Sequence, residues 1–157
     1  EEIIRRGALK LKTAIDKAFE IDSEVLIEPF ITGREITVSV LGNDVYPIVE
    51  IKPKHELYDY ECKYTAGMSE YVCPAEIPND LTLRVQADAL KAYHALGLQV
   101  YSRIDFLLQT DGQYFCLEAN SLPGMTATSL LPKSVKAKGM EFKTLIHTII
   151  QNSILGV

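Results

Sequence analysis

The feature that most constrains the fold is a pair of apolar segments, residues 99–108 and 114–120, with an Asp-Gly pair between them. An Asp-Gly pair in this position is a strong signal for a β-hairpin closed by a two-residue turn. Asp111 and Gly112 are therefore predicted to occupy the turn. That choice fixes which residues of the two strands lie opposite each other.

In this register Asp105 lies opposite Glu118, and Arg103 lies opposite Asn120. Because side chains alternate along a strand, these four polar residues share one face of the hairpin. Directly opposed Cβ atoms are about 4.5–5.5 Å apart, so the two carboxylates should repel each other. A divalent cation would remove the conflict, and carboxylate and amide oxygens suit Mg²⁺.

Two interpretations of this polar face stay open from the residues alone. It can bind a cation, in which case Arg103 can face an anion attached to the same cation. It can also be a solvated sheet face with alternating charges. Zinc fits poorly, because the cluster has no His and no Cys apart from Cys116.

Helices are predicted where apolar residues recur at helical spacing, over residues 8–20, 79–96 and 141–151. Asn79 or Asp80 is the expected N-cap of the second helix, and Gly97 lies where a helix-ending glycine belongs. The apolar stripe of this helix is predicted to consist of Val85, Ala89, Ala92, Tyr93 and Leu96.

Further strands are predicted over residues 24–31, 34–41 and 45–51. The first two are expected to form an antiparallel pair joined at Thr32-Gly33, and in the second Ile36, Val38 and Val40 should face away from Glu35, Thr37 and Ser39. Residues 52–75 are predicted to be a long loop with a short strand near its end, and loops of this length are usually functional. Runs of adjacent strands favour an α+β fold with an antiparallel sheet and packed helices.

Composition argues against several classes of protein. The chain has 157 residues, and its net charge of −5 gives no basic excess for a nucleic-acid backbone. We expect no membrane span, because the chain has no run of about eighteen apolar residues. We also expect no signal peptide, because the first residues are acidic. Three widely spaced cysteines argue against a disulfide framework and favour reduced thiols in a cytoplasmic protein.

Four motifs, in order, resemble those of the D-alanine–D-alanine ligases. The resemblance covers the chain from about residue 8 to its end, and the combination is specific although each motif alone is weak. The motifs are Gly33-Arg34-Glu35 with Thr37-Val38, the loop 58–64 (YDYECKY), the strand 103–106 (RIDF), and residues 118–126 (EANSLPGMT) followed by Ser129-Leu130.

This resemblance implies that residues 1–157 are the C-terminal portion of an ATP-grasp fold. Residues 1–20 would include the last helix of the preceding subdomain. The family joins two D-alanines with ATP for peptidoglycan synthesis, through an acylphosphate. A complete member is about twice as long and commonly a homodimer. Because the other half of the ATP cleft would come from residues outside this chain, we expect the chain alone to be inactive.

The resemblance also implies roles at the polar face. Asp105, Glu118 and Asn120 match the ligands of two Mg²⁺ ions, for which Mn²⁺ can substitute, with Glu118 as the bridge. Arg103 matches the arginine that stabilises the oxyanion of the tetrahedral intermediate. The backbone N–H of Gly124 would assist it.

Substrate-facing and nucleotide-facing residues follow from the same motifs. Lys63 is expected at the γ-phosphate, and Tyr64 is expected to close the loop 58–64 over the site, with Tyr58 near the substrate. Ser129 and the N–H of Leu130 match the group that holds the carboxylate of the second D-alanine. The residues expected around the adenosine are Glu28, Pro29, Phe30, Ile31, Glu35 and Leu107.

Two other functions remain in competition. Another ATP-grasp carboxylate–amine ligase would share the metal ligands, but the motifs at 58–64 and 118–130 argue against it. A non-catalytic nucleotide-binding module would keep the fold, but retention of all three candidate ligands together with Arg103 argues against that.

Overall fold

The computed structural model describes residues 8–53, 69–126 and 128–156. It divides into two compact units, residues 1–32 and 33–157. The first unit contains helix α1 (Ala8–Phe19), which confirms the predicted first helix. Ala14 is buried in it, and Leu11 and Phe19 are exposed.

The second unit is built on one antiparallel sheet, which confirms the α+β class predicted from the adjacent strands. The strands are β1 (Arg34–Leu41), β2 (Asp44–Val45), β3 (Val49–Pro53), β4 (Ser69–Val72), β5 (Tyr101–Leu108) and β6 (Tyr114–Asn120). The order of the main strands across the sheet is β4-β3-β1-β5-β6, and the short strand β2 pairs with β1.

One face of this sheet packs on helix α2 (Asn79–Ala95). Strict alternation sends Ile36, Val38 and Val40 to this face, as predicted. Val85, Ala89 and Tyr93 of α2 are buried against them, together with Leu81, which the predicted stripe omitted.

The structure confirms the predicted C-terminal end of α2 but not its predicted N-cap. Gly97 has φ 63°, and backbone hydrogen bonds from Gly97 and Leu98 close the helix as expected. The predicted cap by Asn79 or Asp80 is wrong, because both lie inside the helix and Pro78 precedes it without a side-chain hydrogen bond. Leu96 is 62% exposed, because it lies beyond the last helical turn and points away from the core.

The other face of the sheet is covered by helix α3 (Leu130–Ala137), and helix α4 (Phe142–Leu155) packs on α3. Leu131 and Val135 of α3 are fully buried with Leu145 of α4. Helix α4 confirms the predicted last helix, whereas α3 was not predicted. It is only 8 residues long and has Pro132 in its first turn, where proline is tolerated but weakens a helical pattern read from sequence.

Two predicted strands differ from the structure. Residues 24–31 form no strand, and Leu26 is 81% exposed. No antiparallel pair joins at Thr32-Gly33, because β3 and β5 already occupy the two edges of β1. The predicted strand 45–51 is interrupted between β2 and β3, where Pro47 has no N–H to donate to a ladder.

None of the helices in the described ranges combines the length and the apolar character needed to cross a membrane.

Candidate functional site

The hairpin of β5 and β6 pairs Asp105 with Glu118 and Arg103 with Asn120, as predicted. The hairpin nevertheless differs from the prediction in two places, the length of its loop and the pairing along its strands. The turn contains three residues rather than two: Gln109 N–H donates to the Gln113 carbonyl at 2.8 Å. This shifts the pairing near the turn by one residue.

A β-bulge between Asp105 and Phe106 shifts the pairing back. Phe106 pairs with Cys116, while Asp105 pairs with Glu118, so Leu117 has no opposite residue on β5. Gly112, at φ 83°, supplies the left-handed conformation that a three-residue hairpin loop requires. The predicted two-residue turn is therefore wrong, but the two irregularities cancel before the polar residues are reached.

Strand β1 lies beside β5 and extends the polar face to a third strand. Thr37 pairs with Asp105, which pairs with Glu118, so these three residues form one row across the sheet. Ser39, Arg103 and Asn120 form the adjacent row. The sequence assigned Thr37 and Ser39 to the face opposite Ile36, but it did not place them beside the carboxylates.

Asp105 is the centre of a hydrogen-bond network. Arg103 donates from Nε to Oδ1 and from Nη2 to Oδ2, each at 2.8 Å, in a bidentate ion pair. Asn120 Nδ2 lies 3.0 Å from Asp105 Oδ2 and 3.3 Å from Glu118 Oε1. Both carboxylates are thus within reach of one nitrogen atom, which confirms the predicted proximity.

The donor set fits a hard divalent cation. It consists of two carboxylates and one amide, all of which carry oxygen ligands. In the part of the chain that the structure describes, no three or more His, Cys, Asp and Glu side chains are grouped so that they could hold a metal ion by themselves. A cation here would therefore take further ligands from phosphate or water.

Cys116 does not alter this chemistry. Burial and the charge of Asp105 raise the pKa of the Cys116 thiol. Zinc sites are built from several Cys or His ligands, and Cys116 by itself does not provide such a set. The site therefore offers hard oxygen ligands, as the residue types predict.

Two predicted substrate residues meet in the turn after β6. A Cβ placed on Gly124 would lie 3.0 Å from Ser129 Oγ, so glycine leaves room for that hydroxyl. Ser129 Oγ accepts a hydrogen bond of 2.9 Å from the Thr126 N–H and lies 2.9 Å from Thr126 Oγ1. The sequence did not predict this contribution of Thr126.

Helix α3 places this turn on the polar side of the sheet. Leu130, its first residue, packs on Val49 and Ile51 of β3. In the register, Val49 pairs with Thr37 and Ile51 pairs with Glu35. Ser129 and Leu130 therefore lie over the same face of the sheet as Asp105.

The residues predicted around the adenosine fall in different parts of the structure. Glu35 and Leu107 are paired on β1 and β5, next to the row that contains Asp105. The other predicted residues (Glu28, Pro29, Phe30 and Ile31) belong to the first unit, where Glu28 and Phe30 are exposed. Tyr58, Lys63 and Tyr64 lie outside the described residues.

Comparison with known proteins identifies relatives of the chain. The chain is 47% identical over 150 residues to the D-alanine–D-alanine ligase of Halalkalibacterium halodurans, an alignment that covers 92% of this chain and 49% of the relative. The chain spans about half the length of the curated relatives it matches.

Solved structures give the same result for the fold. The D-alanine–D-alanine ligase of Bacillus anthracis complexed with ATP matches with a TM-score of 0.80 and 38% identity, over 98% of this chain and 50% of that one. The VanG D-Ala:D-Ser ligase of Enterococcus faecalis matches with a TM-score of 0.75 and 33% identity, over 92% of this chain and 43% of that one. The predicted C-terminal ligase fold is confirmed.

A family model described as the D-ala D-ala ligase C-terminus matches residues 6–151, which is nearly the whole chain. The motifs on which the resemblance was based all lie within that range. The chain therefore belongs to the D-ala D-ala ligase C-terminus family.

Proposed function

We propose that this chain is the C-terminal half of a D-alanine–D-alanine ligase and carries its cation-binding and catalytic face. The observation that carries the proposal is the shared reach of Asp105 and Glu118 to Asn120, beside Arg103. Membership of the ligase family supplies the reaction. The carboxylate of one D-alanine attacks the γ-phosphate of ATP, and ADP leaves. The amine of a second D-alanine then attacks the acylphosphate, losing a proton, and phosphate leaves.

Asp105, Glu118 and Asn120 would hold two Mg²⁺ ions, or Mn²⁺, with Glu118 shared between them. When bound, such ions would supply positive charge against the β- and γ-phosphates, which is the main requirement of phosphoryl transfer. Arg103 would face the negative charge that develops on the carbonyl oxygen under amine attack. Its fork on Asp105 supports this role, because it fixes the direction of the guanidinium.

The turn after β6 would bind the second D-alanine. Ser129 Oγ accepts from the Thr126 N–H, so its own proton can be donated to a carboxylate. The N–H of Leu130 lies at the start of α3, where unpaired backbone N–H groups favour an anion. Gly124 would bring its N–H to the oxyanion, since the absence of a side chain permits close approach.

The adenosine of ATP would contact the residues that the family motifs assign to it. Glu35 would hold the ribose, and Leu107 would form part of the floor under the adenine. Glu28, Pro29, Phe30 and Ile31 would line the adenine edge. Lys63 and Tyr64, with Tyr58, would close over the phosphates.

We extend the proposal to the whole protein. Helix α1 would end the preceding ATP-binding subdomain, and the complete ligase would act as a homodimer. Because ATP is the proposed co-substrate, we place the reaction in the cytoplasm.

Calorimetry of Mg-ATP binding to the full-length protein tests the proposal. Asp105→Asn and Glu118→Gln should each weaken Mg-ATP binding by at least about 10-fold and abolish ADP release with D-alanine. Glu141→Gln is the matched control, since Glu141 is an exposed carboxylate whose side chain makes no capping hydrogen bond. Unchanged Mg-ATP binding in both site variants would favour a non-catalytic module instead.

A ligase that uses D-serine as the second amino acid is the second candidate, because the VanG D-Ala:D-Ser ligase shares this fold at 33% identity. The two functions differ in product. Incubation with D-alanine and D-serine in equal amounts, followed by mass spectrometry, should give D-alanyl-D-alanine as the main dipeptide. Predominance of D-alanyl-D-serine would replace the first proposal by the second.

A further inference from the structure

Thr37 is a buried residue next to Asp105 that the sequence motifs left without a role. It is fully buried on β1, directly opposite Asp105 in the register. Its Oγ1 lies 2.5 Å from Asp105 Oδ1 and 3.2 Å from the carbonyl oxygen of Ile104. A hydroxyl has one proton and both neighbours accept, so the shorter, charge-assisted contact receives the proton.

This contact divides the two oxygens of Asp105 between different neighbours. Oδ1 accepts from Thr37 and from Arg103 Nε. Oδ2 accepts from Arg103 Nη2 and from Asn120. Because Asn120 also reaches Glu118, Oδ2 is the oxygen on the side of the other two candidate ligands.

We propose that Thr37 is a positioning residue that holds Asp105 Oδ1 towards β1 and so turns Oδ2 towards Glu118 and Asn120 for cation binding. The inference rests on the proposed function. A buried hydroxyl suits this task, because burial removes competing water and strengthens the hydrogen bond. The Arg103 fork assigns one guanidinium nitrogen to each oxygen, and Thr37 adds a second donor to Oδ1 from the β1 side of the row.

A purely structural role for Thr37 makes a different prediction. In that case valine, which has nearly the same shape and a high strand propensity, should replace threonine without affecting cation binding. If the hydroxyl positions Asp105, valine should weaken cation binding while the fold persists. Serine should restore it, because serine keeps the hydroxyl.

The test is Mn²⁺ binding measured by electron paramagnetic resonance on the full-length protein with a non-hydrolysable ATP analogue. Thr37→Val should raise the Mn²⁺ dissociation constant by roughly 10-fold, as loss of a group that orients a metal ligand typically does. Thr37→Ser should stay within about 3-fold of the wild type. Ser102→Ala is the control, since Ser102 is fully buried on β5 and its hydroxyl has no hydrogen-bond partner among the residues that the structure describes.

A double-mutant cycle separates positioning from general destabilisation. In the Asp105→Asn background, Thr37→Val should change the Mn²⁺ dissociation constant by less than about 2-fold, because the carboxylate to be positioned is gone. An equal effect in both backgrounds would overturn the inference. So would wild-type affinity in Thr37→Val, and if that variant does not fold, Thr37→Ala takes its place.

The outcomes also distinguish this inference from the proposed function. A wild-type protein that binds no Mn²⁺ with the ATP analogue would refute both. Wild-type Mn²⁺ binding that Thr37→Val leaves unchanged would refute only the role of Thr37.

Discussion

In the absence of divalent cations, the two candidate carboxylate ligands should differ in how much stability the protein loses when their charge is removed. Asp105 is paired with Arg103 through two hydrogen bonds of 2.8 Å. Glu118 is exposed, and Asn120 lies 3.3 Å from its Oε1. Both residues are expected to be equally necessary for Mg-ATP binding, but only Asp105 should contribute to the stability of the fold.

The size of the stability loss expected for Asp105→Asn follows from the burial of its ion pair with Arg103. The side chains of Arg103 and Asp105 are 17% and 15% exposed, so the pair is only weakly screened by water. The amide created by Asp105→Asn has one acceptor oxygen where the carboxylate had two, and its NH₂ faces other donors. Hydrogen bonds to charged groups are worth about 1.5–3 kcal/mol. We therefore expect Asp105→Asn to cost about 2 kcal/mol.

The corresponding change at Glu118 should be nearly neutral. Glu118→Gln keeps an acceptor for Asn120 and removes the repulsion between two opposed carboxylates. Surface substitutions of this kind change the free energy of unfolding by about 0.5 kcal/mol or less. For a chain of this size, the Asp105 variant should then melt roughly 4–8 °C below the Glu118 variant.

Urea unfolding in EDTA, monitored by circular dichroism, measures the difference between the two variants. The unfolding midpoint of Asp105→Asn should fall, and that of Glu118→Gln should remain at the wild-type value or rise. Equal loss of stability in both variants would refute the reasoning, because it would mean that the Arg103 fork does not neutralise Asp105.

Two further predictions concern the start of β1. Arg34→Met should cost about 2 kcal/mol at neutral pH, because it leaves the buried Glu50 carboxylate without its bidentate partner. The Arg34 hydrogen bond lowers the pKa of Glu50, so the wild-type advantage is present above the unfolded pKa of about 4.3 and is lost as the pH falls through the folded value. Urea midpoints that differ equally at pH 3 and pH 7 would contradict this. Gly33→Ala places a Cβ 2.6 Å from the backbone oxygen of Leu108 and should cost about 1–3 kcal/mol in thermal unfolding, whereas unchanged stability would show that β5 can move aside.

The β5–β6 hairpin shows why a correct site prediction can rest on incorrect details. Asp111-Gly112 indicates a turn, but nothing local decides between two and three residues in the loop. A bulge at Leu117 depends on how the strand bends against its neighbours, which a single strand does not reveal. The predicted pairing of Asp105 with Glu118 held because the two irregularities shift the register in opposite directions.

Long-range pairing was the main source of wrong predictions. The segment 24–31 has the composition of a strand, yet it forms none, since β3 and β5 occupy both edges of β1. Helix α3 was not recognised, because its stability comes from burying Leu131 and Val135 against the sheet rather than from its own short sequence.

The sequence by itself determined the period-two alternation of β1 and β5, the hairpin that opposes Asp105 and Glu118, and the identity of the family. These are local properties, carried by the spacing of residues a few positions apart. Only the tertiary structure decided that β1 lies beside β5 and that Thr37 therefore contacts Asp105. Thr37 and Asp105 are far apart in the chain, and their contact depends on which sheet edges remain available once the whole chain has folded.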